Sequence, residues 1–159
     1  MPVLAEDFTR AMTRVPGPVT VVTTADESGR RWGFTGTSFS SLSLAPPLVL
    51  VCLAKKASTH RAFTTSARFL INVLGRFQED VASRFATSGV DRFSAGDAIP
   101  VEHGLPGLPQ AVARLSCSTH SIQDGGDHSI LIGLVEAVHV GDGDPLVYVD
   151  RSFTRPEPR

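Results

Sequence analysis

Cysteine and net charge are both scarce in this 159-residue chain, and each scarcity removes a class of function. Cys52 and Cys117 are its only cysteines; they lie in separate apolar segments with no Cys-x-x-Cys spacing. That pattern supports neither a thiolate metal cluster nor a disulfide framework, and reads as buried thiols in a reducing compartment. A net charge of −1 offers no broad basic surface for nucleic acid. Glu6 and Asp7 interrupt the start of the chain, so no secretory signal is expected, and no apolar run approaches the roughly 20 residues of a membrane span. The expectation is a soluble cytoplasmic protein with no membrane and no nucleic-acid partner. His60, His103, His120, His128 and His139 form no close pair and have no Glu-x-x-His companion, so no metal site is expected. Neither a Gly-x-Gly-x-x-Gly after a strand nor a Gly-Lys-Ser/Thr occurs, which excludes a Rossmann fingerprint and a P-loop. Gly36-Thr37-Ser38-Phe39-Ser40 approaches a nucleophile elbow, but Ser40 replaces the last glycine and no helix follows; its serines read as hydrogen-bonding groups.

What is present suffices for one folded unit over residues 1–159, because 42% hydrophobic residues can bury a single core without staples. Phe8, Ala11, Met12 and Val15 fall at helical spacing before Pro16-Gly17-Pro18, which predicts an opening amphipathic helix that packs across a sheet. Val19 to Thr24 is β-branched throughout, Asp26-Glu27-Ser28-Gly29 is a turn signal, and Arg31 to Thr37 can return as the antiparallel partner. Leu48 to Leu53 is continuously apolar, which suggests a strand buried on both faces. Ser58 to Phe63 reads as a short capped helix, Phe69 to Leu74 as a strand and Gln78 to Ala86 as a helix with Val81, Ala82 and Phe85 inward. Ser88 to Pro109 reads as loop. Ala113 to Ile122 and His128 to Val140 flank Asp124-Gly125-Gly126-Asp127 as a second hairpin, and Gly141 to Asp144 turns into Pro145 to Val149. Strands joined by tight turns, with few helices, predict a mainly β fold: an antiparallel barrel with peripheral helices.

The stretch from Gly33 to Pro47 places Thr37, Ser38, Ser40, Ser41 and two glycines between strand-like segments, suited to close approach of a flat, polyoxygenated ligand. Lys55-Lys56-Ala57-Ser58-Thr59 joins two cations to two hydroxyls at a helix start, which suits a phosphate and equally suits a plain solvated cap. Asn72 is polar within an apolar strand and needs either a backbone group or a ligand edge. His128 opens a strand directly after a tight turn, where its ring can face a pocket or simply cap the turn.

In their order and spacing these segments resemble the flavin reductase family with the FMN-binding split-barrel fold, the small components of two-component flavin-dependent monooxygenases. The resemblance runs from about Phe8 to Phe153. It is carried by Val19 to Thr24, Thr37 to Ser43, Pro46 to Leu53, Phe69 to Leu74, Asp91-Arg92-Phe93, Gly126-Asp127-His128 and Pro145 to Tyr148. It implies a homodimeric split β-barrel in which NADH or NADPH reduces FMN or FAD by hydride transfer, the reduced flavin passing to a partner monooxygenase. It further implies that Thr37, Ser38, Ser40 and Ser41 contact the flavin ring and ribityl chain, that Cys52 is among the cofactor-binding residues, that Lys55, Ser58 and Thr59 lie near the flavin phosphate, and that Asn72, Val73 and Leu74 line the flavin. His128 and Tyr148 would sit where the nicotinamide docks, His128 as the catalytic candidate. Pro16-Gly17-Pro18 and Phe153, which stands where tyrosine is common, depart from the pattern. The alternatives are a non-catalytic flavin-binding or carrier module and a tight-FMN oxidase of the pyridoxamine-phosphate oxidase type.

Overall fold

The computed structural model describes residues 1–158. In chain order its elements are helix α1 (Ala5–Met12), strands β1 (Gly17–Pro18), β2 (Thr20–Ala25), β3 (Arg31–Gly36), β4 (Phe39–Ser43) and β5 (Leu48–Ala54), and helix α2 (His60–Thr65). Strand β6 (Arg68–Val73), helix α3 (Glu79–Ala86), the short strands β7 (Ile99–Pro100) and β8 (Pro106–Gly107), and the long strands β9 (Ala113–Gly125) and β10 (His128–Val140) follow. Strands β11 (Val147–Val149) and β12 (Ser152–Thr154) end the series. Among the described residues no helix is long and apolar enough to cross a membrane.

The β2–β3 turn shows how sequence becomes structure. Asp26 Oδ1 accepts from the backbone N–H of Ser28 at 2.9 Å and of Arg30 at 3.0 Å, and Gly29 takes a φ of 84°, so the chain reverses where the side chain offers the acceptor. The main sheet has seven antiparallel strands in the order β3-β2-β6-β9-β10-β5-β4. Its two edge strands are consecutive in the chain, with only Thr37 and Ser38 between them, so the sheet must curl until its edges meet. Val22, Phe34, Val51, Phe63, Phe69, Ile71 and Leu131 fill the concave side. A second cluster, including Val21, Leu74, Phe85, Leu108 and Leu146, lies under α3.

Four expectations need correction. Helix α1 begins and ends earlier than its apolar spacing suggested and buries nothing; Phe8 is 58% and Met12 49% exposed. The reason is its tether: β1 pairs with β11, Asp150 N–H donates to Thr13 O at 2.7 Å, and Arg14 holds Asp150 at 2.8 Å, which keeps the helix beside the β11–β12 hairpin and off the main sheet. Strand β5 alternates between buried and half-buried residues, because it neighbours the edge strand and its outer face is uncovered. The doubly covered strands are β2 and β6, over which the Leu105–Leu108 segment is laid. Ser58 to Phe63 is not a capped helix: α2 starts at His60, its N-cap Thr59 makes no capping hydrogen bond, and its six residues are too few for a useful helix dipole. Finally, the hydroxyl-rich stretch is largely strand, β4, pinned to β5.

Candidate functional site

The ladder of β4, β5 and β10 decides which side chains share a face. Residues directly opposite one another project to the same side. His128 opposes Ala54, Ile130 opposes Cys52, and Ile132 opposes Leu50, which in turn opposes Ser40. His128, Cys52 and Ser40 therefore stand on the outer face of the curled sheet, together and toward one end. Ser38 joins them through the Cys52 N–H, which donates to Ser38 O at 3.3 Å. Thr37, Ser38, Ser40 and Ser41 are all exposed. Burial raises the pKa of the Cys52 thiol, so this half-buried side chain is a neutral wall and no nucleophile.

His128 is oriented by its own turn. Its Nδ1 lies 2.7 Å from Asp127 Oδ1, and since a carboxylate only accepts, Nδ1 carries the proton and Nε2 is left to face a ligand. The same hydrogen bond, followed by the attraction of the imidazole, lowers the pKa of Asp127. Lys55 closes the turn from the other side: its ammonium pairs with Asp124, lowering that carboxyl's pKa through the hydrogen bond first, and its backbone N–H donates to Asp127 O at 2.9 Å. Behind them His60 Nε2 and Ser129 Oγ, 2.9 Å apart, join α2 to the start of β10.

Beyond Lys55 the chain enters a cavity of about 500 Å³ whose walls include Arg30, Arg31, Trp32, Ser58, Thr59 and Arg92. The guanidinium of Arg30 lies 3.9 Å over the Trp32 ring and that of Arg31 4.8 Å over Phe93. Arg92 donates to Gly33 O at 2.7 Å and to Thr87 O at 3.2 Å, and burial lowers its pKa. Thr59 is 3% exposed, and its Oγ1 is buried without a hydrogen-bond partner. A buried hydroxyl left unpaired beside cations fits an anionic group bearing acceptor oxygens.

The structure separates other residues from this assembly. Asn72 is fully buried; its Nδ2 donates to Val21 O at 2.8 Å and its Oδ1 accepts from Leu108 N–H at 2.9 Å. Leu74 is equally buried in the core under α3, and Val73 is paired to Ala113 and Thr20. Asn72 and Leu74 are thus committed to the core, while Val73 is half-buried at the end of its strand. Tyr148 packs on Phe153, ring centres 5.3 Å apart, beside Gly17. That is the Val140 end of β10, a contour of about 40 Å from His128 at ~3.3 Å per residue, so one chain does not bring Tyr148 and His128 to one ligand. Gly33 and Gly36 leave no room for a ligand either: a Cβ on Gly33 would meet Phe85 at 2.6 Å and one on Gly36 would meet Val51 at 3.2 Å. Arg30, Arg31 and Trp32 are the residues that sequence reasoning missed; an Arg-Arg-Trp run at a strand entrance was the available signal.

The flavin reductase like domain model matches residues 12–157 of the chain. The chain is 44% identical to the actinorhodin polyketide dimerase of Streptomyces coelicolor over 144 residues, 90% of this chain and 81% of that protein. It is 41% identical to the NADH:riboflavin 5′-phosphate oxidoreductase of Streptomyces pristinaespiralis over 156 residues, 96% of this chain and 89% of that one. Among solved structures, the Streptomyces globisporus C-1027 NADH:FAD oxidoreductase SgcE6 in complex with NAD and FAD fragments superimposes with a TM-score of 0.91. The two are 35% identical, covering 99% of this chain and 98% of that one.

Proposed function

The chain belongs to the flavin reductase-like domain family, and we propose that it is an NAD(P)H:flavin oxidoreductase supplying reduced flavin to a partner monooxygenase. The observation that carries this reading is the placing of Ser38, Ser40, Cys52 and His128 on one outer sheet face beside a cavity walled by arginines and an unpaired threonine hydroxyl. One relative is named for riboflavin 5′-phosphate and one solved neighbour for FAD, with NADH as reductant in both names.

The flavin ring lies against Ser38 and Ser40, with Ser41, which opposes Val49, on the other side of the edge strand, and the flavin phosphate enters the cavity at Ser58 and Thr59. The Cys52–Ser58 segment spans the two. The flavin supplies an acceptor for the hydride that the nicotinamide gives up. The protein needs no nucleophile for this, only orientation and donors where negative charge develops. Hydroxyls on the exposed edge strand hold the ring by polar contacts that open again when the product leaves. Nε2 of His128, left as the acceptor by the Asp127 contact, takes an N–H from the carboxamide of the incoming nicotinamide. Arg30 and Arg31 neutralise phosphate while their planes stay stacked on aromatic rings.

The fold is read as a split barrel, one domain over the whole chain, because the curled sheet joins its edges covalently through Thr37 and Ser38. It is read as a homodimer, because the outer face of β5 and β10 is apolar and half-exposed. The unpaired cysteines support a cytoplasmic setting. If Tyr148 serves the nicotinamide, it does so across the subunit boundary. The purified protein should oxidise NADH or NADPH only when FMN or FAD is added; absence of oxidation with both nicotinamides and both flavins would remove the proposal and leave a flavin-binding module.

A further inference from the structure

The loop that carries Ser58 and Thr59 is fastened at both ends to the hairpin that presents His128. At its start the Lys55 N–H donates to Asp127 O at 2.9 Å and the Lys55 ammonium pairs with Asp124. At its end His60, the first residue of α2, sets its Nε2 2.9 Å from Ser129 Oγ. Asp127 and Ser129 are the two sequence neighbours of His128, while Lys55 and His60 bracket residues 56–59. Between the fastenings the loop winds on itself: Ala57 N–H donates to Ala54 O and His60 N–H to Ala57 O, each at 3.1 Å. The two fastenings differ in their exposure to water. The Lys55–Asp124 pair lies on the surface, where solvent weakens an ion pair. Ser129 is buried and turned to the concave side of the sheet, opposite to His128, because successive residues of a strand alternate. Its hydroxyl therefore meets His60 with little competition from water. Helix α2 does not depend on that contact for its place. It is anchored by Phe63, which lies in the concave core with its ring edge-on to Phe34, centres 4.9 Å apart.

We infer that His60 is a positioning residue: through Ser129 it holds the Thr59 hydroxyl and the His128 ring in one register. A flavin seated by its phosphate at Thr59 then presents its ring at the depth to which His128 brings the nicotinamide. The bond runs one residue from each site, since Thr59 precedes His60 and His128 precedes Ser129. The inference rests on the flavin-reductase reading, which supplies the two ligands. Without the contact, Thr59 and His128 stay on their own elements but their relative position drifts. Hydride transfer needs the two rings in contact, so a drift of about 1 Å can slow it as much as about a hundredfold. Phosphate binding at Thr59 does not depend on where His128 stands.

Stopped-flow single-turnover reduction of FMN and of FAD by NADH gives the limiting rate, and titration gives the flavin dissociation constant. His60→Ala should lower the limiting rate about tenfold, with the flavin constant within about threefold and the melting temperature in the wild-type range. Ser129→Ala should show the same loss, and the double variant no more than either single one, because the two side chains act as one contact. His60→Gln, whose side-chain amide can reach the Ser129 hydroxyl, should recover most of the rate. A fall in melting temperature and flavin affinity in proportion to the rate would make His60 a structural residue and overturn the inference. An unchanged rate in His60→Ala, or losses that add in the double variant, would overturn it too. Each of those results leaves the reductase reading standing. A wild type that reduces neither flavin removes that reading, and the positioning role with it.

Discussion

At the scale of residues, His128 is the side chain on which the chemistry concentrates. Because Asp127 only accepts, the tautomer of the imidazole is set before any ligand arrives, and removing the ring removes a group that is already oriented. His128→Ala should therefore lower flavin-dependent NADH turnover about tenfold to a hundredfold while the flavin dissociation constant stays within about twofold, measured by stopped-flow absorbance and by titration. An equal loss in both quantities would make the histidine a wall of the flavin site. The turn that presents it was legible in Asp124-Gly125-Gly126-Asp127, since small and acidic residues between β-branched runs leave few other conformations. The role of Asn72 was not legible. Its sequence neighbours are apolar whether it faces a ligand or a backbone, and only the passage of Leu108 over β6 shows that a main-chain N–H takes its carbonyl oxygen.

At the scale of elements, the strands declared themselves through β-branched runs and turn residues, whereas their coverage did not. Leu48–Leu53 and, Asn72 apart, Phe69–Leu74 are equally apolar in sequence. The first lies beside an edge and buries one side, the second lies in the middle and buries both, and strand order is a property of the whole sheet. Close packing between elements also falls on positions that look permissive. Gly133, in β10, lies where a Cβ would come within 2.7 Å of both the Cys117 Cβ and the Phe69 ring. Cys117 itself is sealed there, its pKa pushed up to about 12 by burial first and Glu136 second, so it belongs to the core and not to redox chemistry. Gly133→Ala must displace the Cys117 Cβ of β9 and the Phe69 ring of β6 and should cost about 1–3 kcal/mol, read from the denaturant midpoint at unchanged slope. A neutral result would mean that the β9–β10 bulge next to it absorbs the methyl group.

At the scale of the whole molecule, the uncovered surface is the informative part. Leu48, Leu50 and Cys52 of β5 oppose Leu134, Ile132 and Ile130 of β10, so these side chains make one continuous aliphatic patch on the outer face, with Ser40 and His128 at its rim. Contiguous apolar patches on soluble proteins mark association surfaces, and a patch made of paired strands is flat enough to meet its own copy across a two-fold axis. A dimer built there would cover the aliphatic centre and bring its partner's surface to the edge of the flavin site, which turns an open sheet face into a cleft. Ile132→Glu tests this at the patch centre. The face is open in a single chain, so the substitution should leave the monomer folded by circular dichroism while burying a charge in the dimer, at a cost of several kcal/mol. Light scattering should then give twice 16.9 kDa for the wild type and 16.9 kDa for the variant, with flavin affinity falling alongside the mass. A variant that keeps the double mass, or a wild type already at the single mass, would assign this face to another partner and require the flavin cleft to be formed by one chain alone.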